Sequence, residues 1–318
     1  MDVSETGREC CVIGLCVYNN EPGLPSVLSN IVKIMESKLF HKVTVVAFYD
    51  DSSDKSDLIL KIFKKKYESV CADTFKMIIV DNSPNSPNSR KMRMNFGNGS
   101  NSVARVLDSG RTARIAVARN GILHVIRGLH KNGFPHKYFI MMDSNEYACV
   151  GRINIATLCS ALERSDEWDS VSFNREAGYY DYWALSYDKY IYSMYHVANK
   201  DETMHNIRRD FEVKLNNAKN AKNDNKNYDF IPVYSSYDGF AIYKSDKFLN
   251  CSYSSNIDIR LFPKNLLPPK IMNKFTNDCE HRKFHLEAIK KNKARIVVSP
   301  LSIFYKLPIQ NPGLRGPA

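Results

Sequence analysis

Short apolar runs alternate with helical periodicity along the first 82 residues. Cys11-Val12-Ile13-Gly14-Leu15-Cys16-Val17, closed by Tyr18, Asn19 and Asn20, predicts a buried first strand. Leu24, Val27, Leu28, Ile31, Ile34 and Met35 then recur at helical spacing, so 24–37 is expected to be a helix with one apolar face. Lys42 to Phe48 predicts the next strand, Asp57 to Glu68 a helix, and Phe75 to Val80 a third strand. That alternation implies parallel pairing through right-handed crossovers, the nucleotide-binding half of an α/β fold.

Residues 83–110 are rich in Ser, Pro, Asn and Gly and include Arg90, Lys91 and Arg93, which predicts a long loop, either a lid or disordered. A helix is expected from Arg111 to Leu129, then the apolar run Lys137 to Met142, which ends in Asp143-Ser144-Asn145-Glu146. Further on come a helix at 154–163, a strand at 168–173 and an aromatic, polar stretch at 174–185. Residues 187–227 read as helical and then Asn/Lys-rich, an insertion. Two short strands flanking Asp238-Gly239, a helix after Glu280 and a strand at Ile296 to Val298 complete the pattern.

The composition, 43% hydrophobic and 25% charged over 318 residues, is that of an ordinary globular chain. No run approaches the roughly 18 apolar residues of a membrane span, and the polar, acidic start does not resemble a signal peptide, so a cytoplasmic location is expected. Eight cysteines without zinc-type or redox-type spacing are read as reduced thiols. A formal charge of +11 favours acidic partners, among them phosphorylated small molecules. The chain has no Gly-x-Gly-x-x-Gly and no Walker-type Gly-Lys-Ser, so a bound diphosphate would need a metal and basic side chains.

The candidate chemistry gathers where strands end. Asp143 and Asn145 lie on one side of an extended chain and could share a hard cation, Mg²⁺ or Mn²⁺; the same residues also suit a turn or helix cap. Asp50 and Asp51 close the second strand, where a carboxylate can accept from a base or ribose, or cap the next helix. Arg111, Arg114 and Arg119 lead toward Asp143, and one or two of them could reach a phosphate or an acidic residue of the site, or they are surface arginines of an amphipathic helix. Tyr180, Asp181 and Trp183 suit a sugar ring, whose C–H face stacks on aromatics, although they equally suit a core. Gly239 permits close backbone approach with Asp238 adding a carboxylate beside it, although a β-turn explains Asp-Gly equally well, and Asp278, Glu280 and His281 gather before a helix, where acidic residues also suit its dipole.

The order of these motifs resembles the GT-A class of nucleotide-sugar glycosyltransferases, with family 2-like and capsule-mannosyltransferase-like features. Arg111-x-x-x-Ile115-Ala116-x-Ala118-Arg119-Asn120 precedes a strand whose Asp143-Ser144-Asn145 occupies the place of the class's Asp-x-Asp metal motif, with Asn145 where Asp is usual, a departure that leaves Glu146 as a substitute ligand. Tyr49 to Asp54 is similar to its uracil- and ribose-binding segment, and Asp278-Cys279-Glu280-His281 to its Glu-Asp segment. The resemblance implies a Rossmann-like, mostly parallel central sheet flanked by helices with a smaller mixed C-terminal acceptor-side portion. It implies a nucleotide-sugar half at 1–150, an acceptor half at 151–306 with an insert near 187–227, and a tail at 307–318. It also implies metal-dependent, inverting transfer, from a UDP-sugar in preference to a GDP-sugar, to a glycan or protein. Donor-binding residues would be Tyr18, Asn19, Asp50, Asp51, Arg114, Arg119, Asp143 and Ser144; metal ligands Asp143, Asn145 and His281; acceptor contacts Tyr180, Asp181, Trp183 and Gly239; and bases, in order, Glu280, Asp278 and Asp238. A nucleotidyltransferase and a basic nucleic-acid-binding module are the rival readings.

Overall fold

The computed structural model describes residues 9–83, 109–145, 147–191, 201–221, 228–256, 258–264 and 278–305. Its first half runs β1 (Cys11–Val17), α1 (Leu24–Glu36), β2 (Val43–Tyr49), α2 (Ser56–Val70), β3 (Phe75–Asp81), α3 (Ser109–Lys131) and β4 (Tyr138–Asp143). The second half runs β5 (Arg152–Ile153), α4 (Ile155–Glu163), β6 (Ser170–Asn174), α5 (Asp201–Asn220), β7 (Ile231–Val233), β8 (Phe240–Lys244), α6 (Ser245–Phe248), α7 (Glu280–Asn292), β9 (Ile296–Ser302) and β10 (Phe304–Tyr305).

An eight-stranded sheet in the order β3-β2-β1-β4-β8-β6-β9-β7 forms the centre, and β5 pairs with β10 apart from it. β1 to β4 are mutually parallel, β8 runs antiparallel to both β4 and β6, β9 is parallel to β6, and β7 is antiparallel to β9. This is the mostly parallel α/β sheet expected from the sequence. The Asp238-Gly239 turn does not join a hairpin, since β7 pairs with β9 and β8 pairs with β4 and β6.

Alternation along β1 divides the core. Cys11, Ile13, Leu15 and Val17 pack on one face with Val27, Ile31 and Ile34 of α1 and Leu60 of α2. Val12, Phe139 and Met141 pack on the other with Ile122 and Ile126 of α3. A Cβ on Gly14 of β1 would lie 2.6 Å from Ile122 Cγ2, so α3 sits against the sheet at a distance that only glycine permits. Ile207, Phe211 and Leu215 of α5, four residues apart, are buried in that same core, so the helix within the expected insertion is part of the packed fold. No helix among the described residues is long and apolar enough to cross a membrane.

Strand order reverses between β1 and β4, with α1 covering one face and α3 the other. Such a switch point opens a crevice at the carboxyl ends of the strands. There Val17, Tyr49 and Asp143 end their strands, and the antiparallel β8 brings its amino-terminal end alongside, with Asp143 N donating to Gly239 O at 2.8 Å.

Candidate active site

Two loops form one wall of this crevice, and their polar side chains lace them together. Asn19 N donates to Ser52 Oγ at 3.0 Å, and Asn19 Oδ1 accepts from Ser53 N at 2.8 Å. Glu21 N donates to Asp54 Oδ2 at 2.8 Å, while Lys55 N donates to Glu21 Oε2 at 3.0 Å. Burial raises the Asp54 carboxyl, but hydrogen bonds from Ser56 and Glu21 outweigh it and leave the pKa below the ordinary value. Asn19 and Asp51 have φ of 48° and 42°, a left-handed conformation that Asn and Asp tolerate better than most residues. Asp50 Oδ1 accepts from Asn82 Nδ2 at 2.8 Å, whereas Asp51 projects into solvent. Tyr18 stands 53% exposed on the same rim.

At the end of β4, Ser144 is buried, its hydroxyl between the Cys16 carbonyl and Asn20 Oδ1, the latter at 2.7 Å. It therefore ties β4 to the end of β1 and faces the protein, not a ligand. Asn145 Oδ1 accepts from Tyr147 N at 3.0 Å and Ala148 N at 2.9 Å, which is the turn-capping alternative. Its carbonyl oxygen is committed there, so the expected pairing with Asp143 on one cation does not form through it. Glu146, its expected substitute, lies outside the described residues.

Asp143 is the centre of a network that links distant parts of the chain. Its Oδ1 accepts from Arg119 Nη2 at 3.0 Å and from Tyr237 OH at 3.0 Å. Arg119 also gives Nε to Glu280 Oε1 at 3.0 Å and Nη1 to Tyr237 OH at 3.2 Å. The arginine is buried with its guanidinium carbon 4.5 Å from the centre of the Tyr237 ring, so it bridges the two carboxylates from within and is not open to a diphosphate. Asn120 beside it grips the backbone of Tyr253 with two bonds of 2.9 Å. Arg114, five residues before Arg119, is half-buried.

The expected bases fare differently. Asp278 meets Arg282 Nε through both oxygens at 3.0 and 2.8 Å and also accepts from Cys279 N, so it anchors a guanidinium and is not free to take a proton. Glu280 is 5% exposed and held by Arg119. Asp238 is 1% exposed at φ 56°, and its Oδ1 accepts from Tyr180 N and Asp181 N, both at 2.9 Å. Burial pushes its carboxyl up to about 8 against the lowering effect of those two N–H groups, which leaves it protonated at neutral pH. His281 is buried, stacked 3.9 Å from the Tyr237 ring centre, with Nε2 3.4 Å from Glu280 Oε1. Burial, then the Arg119 charge, holds it well below the usual imidazole range, so it is neutral. Neither of its ring nitrogens has a hydrogen-bond partner among the described residues.

The stretch 175–185 is an irregular loop whose middle is bound to Asp238 through the Tyr180 and Asp181 amides. Asp181 is partly exposed, and its Oδ1 accepts from Ala184 N at 3.1 Å. Burial pushes its carboxyl up to about 7 against that hydrogen bond, with the charges of Glu280 and Asp143 adding to the rise. Tyr180 is 40% exposed beneath Arg175, whose guanidinium carbon is 4.8 Å from the ring centre. Trp183 packs against the core, and its carbonyl accepts from Arg282 Nη2 at 2.6 Å. Gly239 has φ 85°, and a Cβ there would lie 2.7 Å from Ala148 Cβ and 3.1 Å from Tyr180 OH.

Among the described residues, no three His, Cys, Asp or Glu side chains are grouped to hold a metal. The donor set suits a cation that arrives with a diphosphate. Both bonds to Asp143 fall on Oδ1, which leaves Oδ2 on a side chain 19% exposed, and Mg²⁺-type ions use one or two carboxylates with phosphate oxygens and water. Tyr237 and Arg282 could not be singled out from the sequence. A Tyr between Ser236 and Asp238 and an Arg in a helix have no local signature that separates them from ordinary core and surface residues.

No family model and no curated protein matches this chain. Solved structures do. Staphylococcus aureus TarS 1–349 aligns over 91% of this chain and 57% of its own, at 15% identity and a TM-score of 0.41. The mannosyltransferase PcManGT from Pyrobaculum calidifontis, in complex with GDP-Man and Mn²⁺, aligns over 93% and 58%, at 11% identity and 0.42. Glucosyl-3-phosphoglycerate synthase from Mycobacterium tuberculosis, in complex with Mn²⁺ and UDP, aligns over 77% and 59%, at 11% identity and 0.32. These neighbours are GT-A glycosyltransferases, and the chain spans less than two thirds of the length of each.

Proposed function

We propose that this chain is a nucleotide-sugar glycosyltransferase. The observation that carries the reading is the placement of Asp143. It lies at the carboxyl end of β4 beside the β1/β4 switch point, with one oxygen locked by Arg119 and Tyr237 and the other left for a ligand. An acidic residue so oriented suits a nucleoside diphosphate carried with Mn²⁺ or Mg²⁺; Asp143 would hold such an ion, which would supply positive charge to the leaving diphosphate. The exposure of Tyr18 and Asp51 on the adjoining rim supports a nucleoside site there, and the irregular 175–185 loop supports an acceptor site for a sugar or protein. A UDP-sugar is the preferred donor, and inversion is the preferred outcome, with an acceptor hydroxyl attacking the anomeric carbon as the diphosphate leaves.

The test is binding and slow cleavage of UDP-glucose, UDP-GlcNAc and GDP-mannose, with Mn²⁺ and then with EDTA. Binding of one donor that EDTA weakens is the expected result. Folded protein that binds none of them in either condition would overturn the reading. Asp143→Ala is expected to abolish cleavage while the protein stays folded; a folded and fully active variant would remove Asp143 from the site.

A further inference from the structure

We propose that Asp181 is the general base of this site and that Asp238 and Arg282 hold it in position; the inference rests on the glycosyl-transfer reading above. Five carboxylates converge near the crevice, and their hydrogen bonds separate them. Asp278 is locked by Arg282, Glu280 is held by Arg119, Asp238 is sealed beneath the Tyr180 and Asp181 amides, and Asp143 is aimed by Arg119 and Tyr237. Asp181 engages only Oδ1, with Ala184 N, and its Oδ2 has no donor among the described residues on a partly exposed side chain. It is also close enough to Asp143, Glu280 and Arg119 to feel their charges.

The loop is held from both sides. The Asp181 amide donates to Asp238 Oδ1 at 2.9 Å, and Arg282, fully buried, donates to the Trp183 carbonyl at 2.6 Å, the Leu185 carbonyl at 3.3 Å and Ser186 Oγ. Arg282 stands on α7, two residues after Glu280, so this clamp fixes the Asp181 loop to the helix that carries the Arg119 anchor. In the step, the acceptor O–H bond breaks and its proton passes to Asp181 Oδ2. The oxygen bonds to the anomeric carbon as the carbon–oxygen bond to the β-phosphate breaks, and that electron pair leaves with the nucleoside diphosphate. With water as acceptor, the products are free sugar and nucleoside diphosphate.

The test uses the full chain, the three donors named above and water as acceptor. Donor binding is read by calorimetry and nucleoside diphosphate release by a coupled assay. Asp181→Asn is expected to bind donor as the wild type does and to release diphosphate about a hundredfold more slowly. Asp181→Ala should be slow likewise and regain about tenfold in added sodium formate, which a purely structural role would not produce. Release by folded Asp181→Asn within about threefold of wild type would overturn the proposal, as would no response of folded, donor-binding Asp181→Ala to formate. A wild-type chain that binds no donor would instead overturn the glycosyl-transfer reading, and this role with it.

Discussion

Replacing Arg119 with Leu tests the network on which the site is built. The guanidinium is 5% exposed and holds Asp143 Oδ1 and Glu280 Oε1, each at 3.0 Å, together with Tyr237 OH at 3.2 Å. Its removal leaves two carboxylates near each other without their shared counter-charge, Glu280 at 7% side-chain exposure and Asp143 at 19%. Breaking one buried ion pair costs roughly 3–5 kcal/mol. Water relieves part of the Asp143 share, so about 4 kcal/mol is expected for the whole change. Against a total of about 5–15 kcal/mol this is a large fraction, and it corresponds to a fall of roughly 10 °C in melting temperature. Urea unfolding followed by far-ultraviolet circular dichroism measures the loss. Glu280→Gln and the double variant complete a cycle whose coupling should reach about 1.5 kcal/mol or more, since the two side chains touch. A Leu variant within about 1 kcal/mol of wild type, or a cycle that is additive to about 0.5 kcal/mol, would refute the view that Arg119 neutralises this pair.

Asp238→Asn should show a pH signature. The folded carboxyl titrates at about 8 and the unfolded one at about 3.9, so between these values the folded state binds the extra proton and wild-type stability falls as pH rises. The Asn variant lacks that slope; its stability relative to wild type should grow by up to about 1.4 kcal/mol per pH unit from pH 4 to pH 8 and then level off, and thermal melts showing a constant difference would disprove it. Gly239→Ala forces φ 85° on a residue with a Cβ and brings that Cβ within 2.7 Å of Ala148. A loss of about 2 kcal/mol or more is expected, with weakened donor cleavage because Asp143 N bonds the Gly239 carbonyl; an unchanged urea midpoint would contradict it.

How much of this was legible in the chain depends on the range of the forces involved. The apolar period of Leu24, Val27, Leu28, Ile31 and Ile34 already specified α1, because a 3.6-residue repeat needs only neighbouring residues to form one face. The fully buried run of β2 and the apolar approach to Asp143 likewise fixed two strands, and with them the end of the sheet where chemistry gathers. The capping alternative for Asn145 was also visible in sequence, as its partners Tyr147 and Ala148 are two and three residues away.

Tertiary structure alone decided which acidic side chains remain available. Arg119 and Glu280 are 161 residues apart, and Arg282 reaches Trp183 across 99, so nothing local distinguishes a carboxylate held by a buried guanidinium from one open to a substrate. The entry of β8 between β4 and β6 was equally invisible, because strand direction is set by the packing of a distant chain segment and not by the residues of Phe240–Lys244. Periodicity is a property of a segment, whereas a hydrogen-bond partner is chosen only when the folded chain brings donors and acceptors together and excludes water from around them.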